Sequence, residues 1–332
     1  MSVTIKEIAR SLGLAPSSVS RALSGSSEVS ESTRQRVLEV ARELNYSPNL
    51  MAQSLVGSAQ NLIGCLILEF ANPFFVPMIR AIEDLAEQRD HIIFLSESRR
   101  QLGVEKRVIE RFRRIQVAGI IVMPVLGNLS HLRMLEDEGT PIVVVGRDVP
   151  GLSFVNVNNK KSGYLVGQYL LRQGHRRIGF IYSSELQNMP ERSRLAGLHK
   201  ALDEAGVELK HLYTVSNNRL EGGEQAGEQW LSQSSRPTAV FGANDLLAMG
   251  FIHRISKAGV SVPDEVAVVG HDDIPFANLF SVPLTTIALP KREIGRVAMQ
   301  ILLDCLDKDA GSRTPQQVVL EPELIVRRSC GG

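Results

Sequence analysis

The sequence predicts a small all-α head followed by an α/β core of two similar parallel-sheet lobes. Three observations carry that prediction. Residues 1–45 hold three short amphipathic stripes separated by glycine and proline punctuation. Short apolar runs then alternate with helical stretches, at 62–68, 91–95, 119–123, 142–145, 178–182, 213–215, 238–241 and 266–269. These runs fall as two sets of four, spaced for βαβ units and parallel sheets.

The head can be read element by element. Thr4 with Glu7 three residues later is a capping box, so the first helix starts at Ile5. Ile5, Ile8, Ala9 and Leu12 form its apolar stripe, and Gly13 can take the left-handed conformation that stops it. Pro16 suits the first position of a second helix, because its missing N–H would be unpaired there anyway. On that helix Val19, Ala22 and Leu23 face inward, which leaves Ser17, Arg21 and Ser24 exposed, and Gly25 ends it. Ser30 caps a third helix with an inner stripe of Val37, Val40, Ala41 and Leu44.

Two short helices joined by a tight turn, with small polar groups and an arginine on the second, form a helix-turn-helix pattern. An α-helix fits the major groove, and arginine can bond guanine O6 and N7 together. Any small three-helix domain would show the same apolar stripes. Local charge decides little, since Lys6, Arg10, Arg21, Arg34, Arg36 and Arg42 are offset by Glu7, Glu28, Glu31, Glu39 and Glu43. Behind the head, residues 46–60 read as a hinge. Asn49 can cap a short helix from Leu50 to Leu55 that Gly57 terminates, and six residues are too few for a helix stable alone in water.

From residue 4 onward the motifs Thr-Ile-Lys-Glu-Ile-Ala, Ser-Ser-Val-Ser-Arg-Ala-Leu-Ser-Gly, Val-Ser-Glu-Ser-Thr-Arg and Asn-Tyr-Ser-Pro-Asn occur in this order. Together they resemble the lactose repressor family of bacterial transcription regulators. The resemblance continues through Asn72-Pro73-Phe74-Phe75 and Gly270-His271-Asp272-Asp273, and is more specific in the head than in the core. It implies that Pro16, Ser17 and Arg21 read bases and that Thr4, Ser18, Ser20 and Tyr46 contact phosphates. It also implies that Ala52, Gln53 and Leu55 lie on a hinge helix entering the minor groove, with Leu55 as the wedge. An apolar wedge between base steps is one way to kink DNA. Ala15 departs from the hydroxyl usual in the family at the cap of the second helix.

For the core, the resemblance implies a periplasmic-binding-protein-like pair of lobes with an effector cleft between them. The resulting domains are a head at 1–45, a hinge at 46–60 and a core at 61–330. Lobe one is expected at about 61–159 plus 290–318, and lobe two at about 160–289 plus 319–328. In open parallel sheets ligands sit at the carboxyl ends of strands. There the chain offers Phe74 and Phe75, Ser96-Glu97, Arg147, Ser183-Ser184, Asn218, Asn244 and Asp272. By resemblance Arg194, Asn244 and Asp272 are the ligand arginine, amide and carboxylate. Asn and Asp also cap helices after strands, and Asp245 and Asp273 are read as caps. The effector site is therefore expected to include Phe74, Phe75, Arg147, Arg194, Asn218, Asn244 and Asp272. Gly146 stands where many family members carry Asp, and the aromatic many carry near Asn218 is missing. Both departures weaken the case for an ordinary neutral sugar. Arg147 leaves its reading open: a partner of Arg194 for an acidic effector, a solvated side chain, or one paired with Asp148.

Composition sets the remaining bounds. A hydrophobic fraction of 43% and a charged fraction of 22% are ordinary for a soluble chain, and a net charge of +1 supplies no global basic field. Cys65, Cys305 and Cys330 have neither a disulfide nor a metal spacing, which points to a reducing compartment. The first residues hold no apolar signal segment, and no run is long enough to span a membrane. A cytoplasmic protein, nucleoid-associated when bound to its operator, is expected. No dinucleotide, phosphate-loop or nucleophile-elbow motif occurs and the seven histidines lack metal spacing, so no cofactor, no metal and no enzymatic activity are expected. The rival readings are a soluble sugar-binding protein and a sugar-modifying enzyme on a similar core. One short recognition helix reads few bases, so the partners expected are a near-palindromic operator, a small-molecule effector and a second copy of the chain. No heptad tail follows Ser329-Cys330-Gly331-Gly332 to suggest a tetramer. Whether the effector releases DNA or promotes its binding stays open.

Overall fold

Helix α1 (Ile5–Leu12) begins where the capping box places it: the Thr4 N–H and Oγ1 both donate to Glu7, at 2.7 and 3.0 Å. Gly13 ends it in the left-handed region at φ 64°. Helix α2 (Pro16–Leu23) starts on proline, with the Ala15 carbonyl accepting from the Ser18 and Val19 N–H groups. Helix α3 (Glu31–Glu43) is capped by Ser30, whose side chain accepts from the Thr33 N–H. Ile8, Ala9, Val19, Ala22, Val37 and Ala41 form a small core that closes the three helices on one another. Leu44 does not complete the stripe as expected. It sits at the C-cap, past the last packed turn, and is 38% exposed.

The computed structural model describes residues 3–23, 26, 28–44, 46, 61–125, 127–184 and 189–331. The chain divides into two compact units, Met1–Asn61 and Leu62–Gly332. The expected hinge residues Ala52, Gln53 and Leu55 lie outside the described residues, as do Ser24 and Gly25.

The second unit holds two six-stranded sheets. The first contains β1 (Leu62–Ile67), β2 (Ile92–Glu97), β3 (Gly119–Val122), β4 (Ile142–Val145), β5 (Ser153–Val157) and β11 (Gln317–Leu320), in the order β11-β5-β4-β3-β1-β2. All its pairings are parallel. The second contains β6 (Ile178–Ser183), β7 (His211–Val215), β8 (Ala239–Gly242), β9 (Ala267–Asp272), β10 (Thr285–Ala288) and β12 (Glu323–Ile325). Its order is β12-β10-β9-β8-β6-β7, with only the β10–β12 pair antiparallel. The two orders match strand for strand, which is the internal similarity the run spacing implies. Strands β3, β4 and β8 are wholly buried, as central parallel strands covered on both faces must be. Strands β5, β10, β11 and β12 lie outside the eight apolar runs, being short or interrupted by Ser and Asn. Pairing of β11 with β5 continues to Leu320, past the expected lobe boundary at 318.

Helices cover the sheets. In lobe one these are α4 (Phe75–Glu87), α5 (Leu102–Arg114), α6 (Ser130–Asp137) and α11 (Lys291–Leu306); in lobe two, α7 (Asn159–Arg172), α8 (Met189–Glu204), α9 (Leu220–Ser232) and α10 (Asp245–Lys257). Helices α4 and α11 pack together, so the chain returns to lobe one after β10. Helices α7 and α8 cross in near contact. A Cβ at Gly163 would lie 1.8 Å from the Arg194 carbonyl oxygen, and one at Gly197 would lie 1.9 Å from that of Lys160. Glycine is required at both positions, and the contact fixes where α8 runs.

Candidate functional site

Two surfaces carry functional chemistry. The first is the face of α2 opposite Val19 and Ala22. Pro16, Ser17 and Arg21 are exposed there, while Ser18, Ser20 and Tyr46 are partly buried. Thr4 is exposed at the start of α1. Arg21 is held in the free head by Glu28 at 2.7 Å, and its Nε points to the Ser17 carbonyl at 3.4 Å. An exposed ion pair of this kind is worth about 0–1 kcal/mol, so a stronger acceptor can displace Glu28. The Ala15 side chain has no oxygen with which to cap α2; its backbone carbonyl accepts from the Ser18 and Val19 N–H groups.

The second surface is a cavity of about 130 Å³ at the carboxyl ends of the strands, between the two lobes. Lobe one contributes Asn72, Phe74 and Phe75 after β1, Arg100 after β2, Met123 and Pro124 after β3, and Gly146 and Arg147 after β4. Lobe two contributes Asn159, Glu191, Arg194, Asn244 and Asp272. Each is placed by a local device. Asn72 Oδ1 accepts from the Phe74 N–H at 2.9 Å, turning the chain into α4 and setting Phe74 edge-on to Phe75, with ring centroids 5.2 Å apart. Arg194 donates from Nε to Asn159 Oδ1 at 2.8 Å and from Nη1 to the Ala243 carbonyl. Burial holds its guanidinium below the usual arginine pKa, opposed by the neighbouring carboxylates of Asp272, Glu191 and Asp245.

Asp272 occupies an unusual backbone position at φ 111°, followed by Asp273 at φ 48°. Two consecutive residues in this region carry strain. Lys291, the first residue of α11, opposes it by donating from Nζ to both carbonyls, at 2.5 and 2.8 Å. The Asp272 carboxylate accepts from His271 Nδ1 at 2.9 Å. His271 is fully buried, and burial together with the nearby Arg194 charge pushes its pKa down to about 4. It is therefore neutral at ordinary pH.

Four expectations need correction. Asn218 is not in the cavity wall: it is buried behind it, with Nδ2 on Glu191 Oε1 at 2.7 Å and its carbonyl accepting from Asn244 Nδ2 at 3.1 Å. Asp245 is not the helix cap. Asn244 caps α10 by accepting from the Leu247 N–H at 2.8 Å. Asp245 is buried one residue further on, accepting from the Thr286 hydroxyl and the Ile274 N–H. Burial, with Asp272 nearby, raises its pKa well above the carboxylate norm. Asp273 likewise caps no helix and pairs with Arg327 at 2.8 Å. Arg147 is not paired with Asp148 either, because Asp148 accepts from Asn156 Nδ2 at 2.7 Å. Among the described residues Arg147 makes one long contact, 3.5 Å to the Gly127 carbonyl.

Sequence reasoning missed Arg100, Glu191 and Asn159. Arg100 follows β2, so the strand-end rule could have found it. It also missed Glu105, fully buried, which accepts from the Val125 N–H at 2.5 Å and from His131 Nε2 at 2.8 Å. That pair anchors the loop carrying Met123 and Pro124. Among the described residues no cluster of His, Cys, Asp and Glu could hold a metal ion, and no helix is long and apolar enough to cross a membrane. The thiols of Cys65, Cys305 and Cys330 are free and buried, and burial raises Cys65 and Cys330 to about 12.

Comparison with known proteins converges on one family. Residues 4–49 match the bacterial regulatory proteins of the lacI family, and residues 167–330 match the periplasmic binding protein-like domain. The HTH-type transcriptional repressor PurR of Photobacterium profundum is 31% identical over 331 residues, spanning 98% of both chains. PurR of Yersinia enterocolitica is 34% identical over 331 residues, spanning 98% of this chain and 96% of the relative. The lac repressor dimer bound to operator and the anti-inducer ONPF superposes with a TM-score of 0.87 at 26% identity, covering 99% of each chain. The transcriptional regulator CelR in complex with cellobiose superposes with a TM-score of 0.74 at 27% identity, covering 98% of this chain and 99% of CelR. With the head, the paired lobes and the cavity between them all in place, the chain belongs to the lacI family of bacterial regulatory proteins.

Proposed function

We propose that the chain is a sequence-specific transcriptional repressor whose grip on operator DNA is set by a small-molecule effector held between the lobes. The observation that carries this is the pairing, on one polypeptide, of an α2 face presenting Ser17 and Arg21 with a cleft in which polar groups of both lobes converge. The protein is a regulator and not an enzyme. It works on DNA in the cytoplasm, with the nucleoid as its site of residence when bound.

Pro16, Ser17 and Arg21 read bases; Thr4, Ser18, Ser20 and Tyr46 hold phosphates; Ala52, Gln53 and Leu55 enter the minor groove. Two heads are needed for a specific site, so the working form is a homodimer on a near-palindromic operator. An exposed apolar face suits that contact. Phe70, Val76, Ile92 and Phe94 lie outward around α4 and the edge strand β2, with exposures of 44–53%. A second copy would cover them.

For the effector, Phe74 and Phe75 offer aromatic surface, while Arg194 and Asp272 offer a donor and acceptor pair for hydroxyls. Cellobiose in CelR makes a sugar-like ligand a reasonable starting class. Arg147 lines the cavity without a carboxylate partner among the described residues, which favours an effector carrying an acidic group. The test joins two measurements. A thermal-shift screen of sugars, sugar acids, sugar phosphates and nucleobases identifies the effector. Gel shifts on DNA upstream of the protein's own gene, with and without that compound, then read whether it releases the operator or secures it. A protein that binds such a ligand yet never retards DNA would be a binding protein instead.

A further inference from the structure

Glu69 follows β1 and is 3% exposed, yet it carries guanidinium groups from both lobes. Its Oε1 accepts from Arg100 Nε at 2.9 Å. Its Oε2 accepts from Arg219 Nε at 3.2 Å and Nη2 at 3.0 Å. Arg100 belongs to lobe one and lines the effector cavity, whereas Arg219 belongs to lobe two and immediately precedes α9. The chain passes between the lobes at 157–159, 288–291 and 320–323. Neither Glu69 nor Arg219 lies on these crossovers, so their contact spans the cleft through space.

The triad is asymmetric. The Arg219 side chain is 56% exposed, while those of Glu69 and Arg100 are 5% and 20% exposed. Arg219 can leave for water and be rehydrated at once. Glu69 cannot, and stripped of both arginines it would be a buried uncompensated charge. When the lobes part, Arg219 is therefore the partner that lets go, and Arg100 the one that stays. The neighbouring residue links this contact to the ligand groups: Asn218 bonds Glu191 and receives Asn244, and both of those line the cavity.

We propose that Glu69 is a positioning residue with two tasks: it fixes Arg100 in the cavity wall, and through Arg219 it latches the lobes closed. The inference goes beyond the regulatory reading and does not depend on which effector binds. A latch made of the protein's own groups keeps the closed arrangement populated before any ligand arrives. An effector that favours the closed arrangement then meets a site already formed, and one that favours the open arrangement must displace Arg219.

The test is hydrogen–deuterium exchange on the full-length, ligand-free protein, comparing wild type with Arg219→Ala, Arg219→Lys and Glu69→Gln. The latch requires a reciprocal effect. Arg219→Ala should speed exchange about fivefold both in its own segment, 216–222, and across the cleft in 69–75. Arg219→Lys should restore most of the protection. About 0.5 M salt should move wild type toward the alanine variant, because half-exposed pairs are screened. Faster exchange confined to 216–222, or no recovery with lysine, would overturn the proposal. Should Glu69→Gln prove poorly folded, Arg219→Ala still decides the matter, since a more than half-exposed side chain can be truncated without opening the core. Operator binding, measured in parallel, separates failure of the latch from failure of the repressor reading.

Discussion

His271 donates from Nδ1 to Asp272 Oδ1 at 2.9 Å, from an imidazole with no exposed surface. Its other nitrogen, Nε2, has no hydrogen-bond partner among the described residues. A proton added there would be a buried charge, which is why its pKa falls to about 4 from the ordinary 6.5. The folded-state value is depressed, so the unfolded chain binds this proton first as pH falls. The stability involved is fully present above pH 6.5 and is lost as pH drops toward 4, amounting to about 3 kcal/mol. Urea denaturation at a series of pH values should show this slope in wild type and a flatter one in His271→Phe. Equal slopes would mean that other groups set the acid sensitivity.

Arg21→Ala should relax base preference by about 1–3 kcal/mol and leave the head folded, because the side chain packs outward beside Glu28. Binding competition among single-base operator variants reads this directly. Undiminished selectivity would move base reading to Ser17.

Leu55→Ala shortens the proposed minor-groove wedge. Specific affinity and DNA bending should both fall while the salt-dependent nonspecific binding stays. Circular-permutation bending assays compare the two proteins, and identical bend angles would count against the wedge.

Arg194→Ala and Asp272→Ala should each abolish the effector response while leaving the head folded. An inducer-regulated protein would then repress permanently; a co-repressor-regulated one would never repress. A reporter strain scores both outcomes, and a full effector response in either variant would remove that residue from the site.

Arg147 is expected to select an acidic effector. Titration calorimetry with a sugar and its corresponding acid should favour the acid by about tenfold in wild type, and by much less in Arg147→Ala. If the neutral compound binds wild type equally well, Arg147 is a rim residue.

What could be read from the chain in advance was local. The Thr4–Glu7 box, Pro16 at a helix start and the polar strand ends at Arg147, Asn244 and Asp272 are short-range patterns with a direct physical cause. Depth was not legible. Asn218 sits at a strand end as expected, but its side chain turns to Glu191 rather than to the cavity. Arg100 enters the wall because Arg99 and Arg100 both take positive φ, 52° and 57°, and double the chain back after β2. Glu105 supports the wall from α5 through the Val125 N–H, twenty residues along the chain. Such placements depend on distant segments meeting, and no spacing rule encodes them. The matching strand orders were more accessible, because each lobe repeats the same alternation.

The near contact of α7 and α8 has a consequence for how this molecule can change over generations. Gly163 and Gly197 hold the helix that carries Glu191 and Arg194 against a neighbour with no room even for a methyl group. That helix cannot drift to suit a new compound without losing its seat. Novelty in ligand choice is thus channelled toward cavity-lining side chains on other elements, such as Phe74 and Arg147. A lineage adapting to a different metabolite would be expected to vary those positions freely while both glycines stay untouched.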